Sequence, residues 1–336
     1  MTQAAIYGLA ATEISRDEAA FFRDARPTGY ILFGRNIENR EQLRCLTDAL
    51  RSLEGHDEVP ILIDQEGGRV ARMRPPVWPA FPSGEAFDRL YQIAPSSAIE
   101  AARVNARALG LMLHEVGVTI NCLPMLDVRQ PGATDIVGDR ALGSNPMQVS
   151  ALGRAILDGL MSAGVLGIIK HIPGHGRALV DSHLELPVVE DDDEALCIDL
   201  EPFERLRDAP MAMTSHLLYR AWDAERPASQ SPIVINDVIR TRIGLDGFLM
   251  SDDIGMAALA GDHGQRAAAC VAAGCDVALH CDGKMAHMVG VANAVPTLSD
   301  AGEARLARAM AMRFAPDDEL DFAESVAKRD ALLALV

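Results

Sequence analysis

Short apolar runs, many of them rich in β-branched residues, alternate along the 336-residue chain with longer segments in which apolar positions recur every three or four residues. The short runs carry apolar side chains at consecutive positions, which is typical of parallel strands buried on both faces. Eight strands are predicted, at Ala5 to Leu9, Gly29 to Gly34, Val59 to Asp64, Val118 to Val128, Val165 to His171, Met211 to His216, Gly247 to Asp252 and Cys275 to Cys281.

The segments between these strands have the period of amphipathic helices. The clearest runs from Ser97 to Val116, where apolar residues follow one another by three and four positions along one face. Strands and helices that alternate in this way form a parallel sheet covered on its outside, and eight such units predict a single (β/α)8 barrel of the TIM type. Because no linker separates a second domain, we expect one domain over residues 1–336, with a C-terminal helix at about 318–336.

The composition is that of a folded globular protein, and it disfavours one class of partner. Hydrophobic residues make up 49% of the chain and charged residues 24%, so the chain can bury a sizeable core. The formal net charge is -17, and no basic cluster appears. Nucleic-acid binders concentrate lysine and arginine to displace counterions, so we expect no nucleic-acid partner.

The N-terminal segment and the cysteines favour a cytoplasmic location. The first residues show no basic region followed by a continuous apolar run, so we expect no signal peptide. No apolar run approaches the length that a membrane span needs, so no membrane partner is expected. The six cysteines include no CxxC pair and lie in or beside apolar segments, which predicts reduced and mostly buried thiols.

Ionisable residues lie at or beside the end of every predicted strand from the third to the seventh. In a barrel such residues meet at the C-terminal rim, where the loops after the strands build active sites. Asp127 alone is assigned a structural role, either capping the following helix or packing its loop. The residues at these ends are Asp64, Asp127, Lys170, His171, His216, Asp252 and Asp253.

The segment KHIPGHGRALVDSH, from Lys170 to His183, concentrates three histidines and leaves three chemistries to weigh. A metal hydrolase would gather His171, His175 and His183, but neither HxH nor HExxH is present, and we expect neither a metal nor a cofactor. Acyl transfer would need a nucleophile on a turn such as GxSxG, which is absent.

Glycosyl transfer is the third chemistry, and the residues it needs are present. It requires a carboxylate nucleophile and a proton donor. Asp252 could attack the anomeric carbon, and a histidine could protonate the leaving oxygen near neutral pH. Asp181, two residues before His183, could hold the imidazole in one tautomer.

Several motifs in order resemble glycoside hydrolase family 3, and within it the compact single-domain bacterial β-N-acetylglucosaminidases of the NagZ type. They span residues 31–256. The combination of KHIPGHG, DSH and SDD is highly specific. The motifs are ILFGRNI, IDQEGGRVAR, GDRALGSNP, KHIPGHG, DSH, MTSH and SDDIGM.

The resemblance implies a retaining double displacement. By motif, Asp252 resembles the nucleophile, His183 the acid/base on a mobile loop, and Asp181 its partner. Gly174 and Gly176 would let that loop bend. The residues that resemble those binding N-acetylglucosamine in the terminal subsite are Asp64, Arg72, Arg140, Lys170 and His171.

The substrate implied is a glycan with a non-reducing-end, β-linked N-acetylglucosamine. The most plausible source is 1,6-anhydro-muropeptides released in peptidoglycan recycling. We expect a monomer or a weak homodimer. A β-N-acetylglucosaminide phosphorylase and a non-catalytic sugar-binding barrel stay open as alternatives. One departure from the family pattern is GDRALG, which has Ala141 and Leu142 where many relatives carry a serine and an aromatic residue, so the setting of Arg140 is open.

Overall fold

The computed structural model describes residues 1–316 and 321–336. Eight of its strands are parallel and close into a barrel in the order β1, β10, β9, β7, β5, β4, β3, β2, which confirms the predicted (β/α)8 architecture. The two short strands β6 and β8 form a separate parallel sheet. In chain order the strands are β1 (Gln3–Gly8), β2 (Pro27–Leu32), β3 (Ile61–Ile63), β4 (Ile120–Asn121), β5 (Leu166–Ile172), β6 (Val188–Val189), β7 (Met211–Thr214), β8 (Leu218–Tyr219), β9 (Phe248–Asp253) and β10 (Val277–His280).

The helices surround the barrel. Among the described residues, no helix is both long enough and apolar enough to cross a bilayer. The helices are α1 (Arg16–Ala25), α2 (Arg40–Glu54), α3 (Gly84–Ile93), α4 (Pro95–Glu115), α5 (Pro146–Ser162), α6 (Asp193–Arg205), α7 (His263–Ala273), α8 (Met285–Ala294), α9 (Asp300–Met310) and α10 (Phe322–Leu333), together with a π-helix at Val234–Ile243 and 3-10 turns at Gly34–Asn36, Gly138–Arg140 and Ala228–Gln230.

Helix α4 occupies the predicted segment from Ser97 to Val116, and it begins two residues earlier because Pro95 suits a first helical turn. The predicted C-terminal helix corresponds to α10, which packs on α4. Residues 318–320 of that prediction lie outside the described residues.

The apolar core has two layers, and the strands contribute to both. Ile6 and Ile31 point into the barrel, whereas Tyr7 and Tyr30, one residue away in each case, pack outwards against the helices. This alternation explains why the strands are apolar at consecutive positions. Each fully buried aliphatic side chain contributes about 1.5–3 kcal/mol relative to an exposed one, so the two layers together dominate the stability of the barrel.

The fourth strand is much shorter than predicted. The sequence suggested a strand from Val118 to Val128, but β4 covers two residues, Ile120–Asn121. Pro124 has no N–H group and cannot donate to a strand ladder, so regular pairing stops before it. The chain then returns to β5, where the Leu126 N–H donates to the Lys170 carbonyl oxygen at 2.6 Å. This brings Asp127 beside the C-terminal half of β5.

Candidate active site

A cavity of about 400 Å³ lies at the carboxyl ends of the barrel strands. The structure brings every residue that the sequence assigned to catalysis or sugar binding to this one cavity. Their placement agrees with the prediction, and their chemical roles stay predictions. These lining residues are Asp64, Arg72, Arg140, Lys170, His171, Asp181, His183 and Asp252.

A compact ion-pair cluster forms one side of the cavity. The Lys170 ammonium lies 2.9 Å from Asp64 Oδ1 and 2.7 Å from Glu66 Oε1, and its side chain is only 2% exposed. Arg72 Nη2 donates to Asp64 Oδ2 at 3.1 Å. Arg140 donates hydrogen bonds to both carboxylate oxygens of Glu66, from Nε at 2.9 Å and from Nη2 at 2.8 Å. Three cations and two carboxylates therefore share one buried site.

The cluster keeps its members ionised although it is buried. Burial opposes ionisation of Asp64 and Glu66, but the neighbouring cations outweigh it and hold the pKa of each carboxyl below its usual value. Burial likewise disfavours the charged Lys170, yet the two carboxylates raise the pKa of its ammonium group. The site therefore presents fixed charges and directional hydrogen-bond donors to a ligand.

Glu66 is a member of this cluster that the sequence analysis missed. It lies two residues after Asp64 in IDQEGGRVAR. Residues two apart on an extended chain point the same way, and this spacing was the available signal. The pair with Glu66 also explains the setting of Arg140, which the departure in GDRALG had left open. Arg140 ends a 3-10 turn, and its Nη1 donates to the Ile136 carbonyl oxygen at 3.0 Å.

Two adjacent carboxyls at the end of β9 differ in pKa. Burial disfavours ionisation of Asp252, but His171, His216 and the N–H of Asp253, which donates to Asp252 Oδ1 at 2.8 Å, lower its pKa. Burial dominates at Asp253 and raises its pKa to about 6. Two neighbouring carboxyls whose environments give them different pKa values can take different chemical roles. Both carboxyls line the cavity, and Asp252 keeps its negative charge to a lower pH than Asp253 does, which suits the role of nucleophile predicted for it.

Asp127 organises the start of the histidine segment. Its Oδ2 lies 2.7 Å from His171 Nδ1, and its Oδ1 accepts the N–H groups of His171 at 3.1 Å and His175 at 2.6 Å. The helix-capping alternative for Asp127 is therefore wrong, because both oxygens face β5 and its loop. A carboxylate on Nδ1 turns the other ring nitrogen, Nε2, of His171 towards the cavity.

Asp181 and His183 form the predicted pair. Asp181 Oδ1 accepts the His183 N–H at 2.8 Å and lies 2.8 Å from His183 Nδ1. Burial of Asp181 is slight, and the bonds from His183 hold the pKa of its carboxyl below the usual value. The His183 side chain is 63% exposed. Its Nε2 is therefore open to whatever enters the cavity.

The loop between His175 and His183 is held at its base by side-chain contacts. Arg177 donates from Nε to Asp199 and from Nη1 to Asp191, both at 2.6 Å. His175 is buried, and its Nε2 lies 3.1 Å from Ser182 Oγ, which ties the base of the loop to the residue before His183. Burial, reinforced by the neighbouring His171, lowers the pKa of His175 to about 4. His175 therefore supports the loop as a neutral side chain.

Gly174 and Gly176 allow the backbone conformation at the base of this loop for different reasons. Gly174 has a φ of +136°, which side chains rarely allow. A Cβ on Gly176 would lie 1.9 Å from the Val128 carbonyl oxygen, so glycine is needed there for close packing of two backbones. Packing, in addition to the bending that the sequence suggested, explains Gly176.

The metal-hydrolase alternative gains no support at the cavity. His171, His175 and His183 each lie against a different oxygen-bearing side chain, those of Asp127, Ser182 and Asp181. Within residues 1–316 and 321–336, these three histidines do not form a group with metal-ligand spacing.

Comparison with known proteins decides the family. A model of the glycosyl hydrolase family 3 N-terminal domain matches residues 1–312. The chain belongs to glycoside hydrolase family 3. This confirms the resemblance read from the motifs, and it confirms that the chain is an enzyme, a glycoside hydrolase.

Individual family 3 members resemble the chain over most of its length. The β-hexosaminidase of Alkalilimnicola ehrlichii is 40% identical over 293 residues, which are 82% of this chain and 79% of that protein. The β-hexosaminidase of Methylococcus capsulatus is 36% identical over 82% of both chains. The crystal structure of NagZ from Neisseria gonorrhoeae in complex with N-trifluoroacetyl-D-glucosamine superposes with a TM-score of 0.86, at 28% identity, over 99% of this chain and 98% of that one.

Proposed function

We propose that this family 3 enzyme is an exo-acting, retaining β-N-acetylglucosaminidase that removes non-reducing-end, β-linked N-acetylglucosamine. Relatives named β-hexosaminidase support the sugar class, and the NagZ structure with an N-acylated glucosamine supports it further. The observation that carries the proposal is the ionised Asp252, which lines the same cavity as the Asp181–His183 pair.

In the first step, the Asp252 carboxylate attacks the anomeric carbon while the bond to the leaving oxygen breaks. His183 donates the Nε2 proton to that oxygen, and Asp181 stabilises the imidazole through Nδ1. In the second step, His183 Nε2 accepts a proton from water, which attacks the anomeric carbon and releases Asp252. Two inversions give overall retention.

The ion-pair cluster has donors left over for the sugar. The Lys170 ammonium has three N–H bonds and uses two of them for Asp64 and Glu66. Arg72 Nε is buried and has no hydrogen-bond partner among the described residues. Such a donor gains most from a ligand oxygen, because leaving it unsatisfied costs about 1–3 kcal/mol. We infer that Lys170, Arg72, Arg140, Asp64 and His171 together hold the N-acetylglucosamine ring.

The natural substrate we propose is an N-acetylglucosaminyl 1,6-anhydro-muropeptide from peptidoglycan recycling. A cytoplasmic location fits this role, and all six cysteines are free, with only Cys45 and Cys197 exposed. We further propose that residues 1–336 act as one catalytic domain, as a monomer or a weak homodimer. Neither a nucleic acid nor a membrane is part of the proposal.

The test compares aryl β-N-acetylglucosaminide with aryl β-glucoside for the wild type, Asp252→Asn and His183→Ala. We expect the wild type to prefer the N-acetylglucosaminide. His183→Ala should lose about 10²–10⁴-fold in activity, which is the usual contribution of an acid/base group, and Asp252→Asn should lose more. Asp253→Asn is the matched control, because Asp253 is the neighbouring carboxyl and has no proposed chemical role.

Three outcomes would count against the proposal. Full activity of Asp252→Asn, or failure of a 2-fluoro sugar to label Asp252 in the wild type, would remove the covalent intermediate. Sugar 1-phosphate formed only with added phosphate would indicate a phosphorylase. Tight sugar binding without turnover of any aryl glycoside would indicate a binding protein.

A further inference from the structure

A second group of polar side chains lies outside the sugar cavity. The metal-binding atoms of His263, Asp282 and His287 all lie within 4.8 Å of one another. Asp282 Oδ2 is 2.5 Å from His287 Nδ1, and the rings of His263 and His287 stack at 3.9 Å with an angle of 15° between their planes. The mechanism proposed above uses none of these residues.

The fold holds these three residues together from separate elements. His263 is the first residue of α7, His287 lies in the first turn of α8, and Asp282 follows β10 by two positions. The two helices touch beside the cluster, since a Cβ on Gly264 would lie 2.6 Å from the Gly290 carbonyl oxygen. This close approach fixes the spacing of the two histidines independently of their side chains.

His280, the last residue of β10, supplies a second observation. Its side chain is fully buried next to the cluster, with Nε2 2.9 Å from Asp282 Oδ1 and its ring 5.2 Å from that of His263. Despite these contacts, neither ring nitrogen makes a well-directed hydrogen bond within the described chain. Burying an imidazole without such a bond costs free energy unless a bound ligand supplies the missing contact.

We propose that His263, Asp282 and His287 form a binding site for a zinc ion, with His280 facing it from the barrel as a fourth ligand. Imidazole and carboxylate are the donors that zinc accepts in tetrahedral sites, whereas magnesium and calcium select oxygen donors. Bond lengths of about 2.0–2.2 Å require donor atoms roughly 3.3 Å apart. Side-chain rotations bring atoms that already lie within 4.8 Å to that separation.

The site has a structural consequence for the sugar cavity. Zinc would link the start of α7, the end of β10 and the start of α8 at one point of the C-terminal rim. Cys281, between His280 and Asp282, lines the cavity, and its N–H donates to Asp253 Oδ1 at 3.2 Å. The ion would therefore stiffen the wall beside Asp252 without touching the sugar.

The experiment titrates zinc into chelator-treated full-length protein and follows binding by calorimetry and by the melting temperature. The wild type should bind one zinc ion and melt at a higher temperature when it is bound. His287→Gln should weaken the affinity at least tenfold and abolish the zinc-dependent rise in melting temperature. His183→Ala, which removes the exposed histidine–aspartate pair of the sugar cavity, should bind zinc like the wild type.

Circular dichroism of metal-free His287→Gln checks that the variant folds, and zinc-edge anomalous diffraction of wild-type crystals locates the ion. A zinc peak among His263, Asp282 and His287 supports the site. The proposal is overturned if His287→Gln binds zinc as tightly as the wild type, if His183→Ala abolishes binding, or if the wild type binds none. These readouts do not depend on turnover, so they are separate from the test of the proposed function.

Discussion

Replacing Glu66 by glutamine tests whether the buried ion-pair cluster sets the stability and affinity of the site. Glu66 is 6% exposed at its side chain and accepts three charge-assisted bonds, of 2.7, 2.8 and 2.9 Å, from Lys170 and Arg140. Glutamine keeps the shape of the side chain, but it replaces one oxygen with an NH2 group that faces cations. It also changes the net charge of the cluster from +1 to +2, since three cations would face Asp64 alone.

The size of the effect follows from these contacts. Hydrogen bonds to charged groups contribute about 1.5–3 kcal/mol each, but the three share one carboxylate and do not add. Removing one partner of a buried pair costs about 3–5 kcal/mol, because the remaining charge stays buried and unpaired. We therefore expect the free energy of unfolding to fall by about 3–5 kcal/mol. The KM for an aryl β-N-acetylglucosaminide should rise, because Arg140 and Lys170 lose their fixed orientation.

Urea denaturation of the wild type and the variant at several pH values measures this difference. Burial raises the pKa of Glu66, but the two cations outweigh burial and hold the folded-state pKa below its unfolded value. The stabilising effect of Glu66 is therefore complete above that unfolded value of about 4.3. The effect is lost as the pH falls further. The difference between the two proteins should thus be full above about pH 5 and shrink below about pH 4.

Glu190→Gln is the matched control. Glu190 pairs with Arg220 at 2.8 Å, but the two side chains are 68% and 51% exposed. Exposed pairs contribute about 0–1 kcal/mol, so this variant should unfold almost like the wild type. The reasoning is refuted if Glu66→Gln is as stable as Glu190→Gln, or if the loss of stability is the same at pH 3 and pH 7.

Two further substitutions probe the loop base and the second carboxyl of β9. Gly176→Ala should destabilise the protein by at least about 2 kcal/mol in urea denaturation, since the new Cβ would meet the Val128 carbonyl oxygen at 1.9 Å. Gly34→Ala is the control and should be nearly neutral, because a Cβ on Gly34 would have no neighbouring atom within 4 Å. Equal effects of the two alanines would contradict this. Burial raises the folded-state pKa of Asp253 to about 6. Ionisation of this buried carboxyl therefore lowers the stability of the wild type as the pH rises from about 4 to 6. Asp253→Asn stays neutral and should gain about 3 kcal/mol in stability relative to the wild type between pH 4 and pH 7. A stability difference that does not change with pH would show that the carboxyl titrates normally.

Prediction from the sequence succeeded where a local pattern has one structural meaning. Consecutive apolar positions in runs of about six residues mark strands covered on both sides, and each of the eight predicted strands has its counterpart in the barrel. The position of Asp252 or Lys170 at the rim then follows from strand direction alone. The pattern failed at the fourth strand, where a proline in an apolar run ended the pairing and carried Asp127 towards β5.

The sequence by itself determined the barrel, the rim on which the polar residues meet and the motifs that mark the family, because strand period, strand direction and short motifs are local properties of the chain. Tertiary structure alone decided that Glu66 joins Lys170 and Arg140, that Asp252 is ionised while Asp253 titrates near pH 6, and that His263 meets His287. Charge state and ligand geometry depend on burial and on neighbours distant along the chain, and these exist only once the barrel has closed.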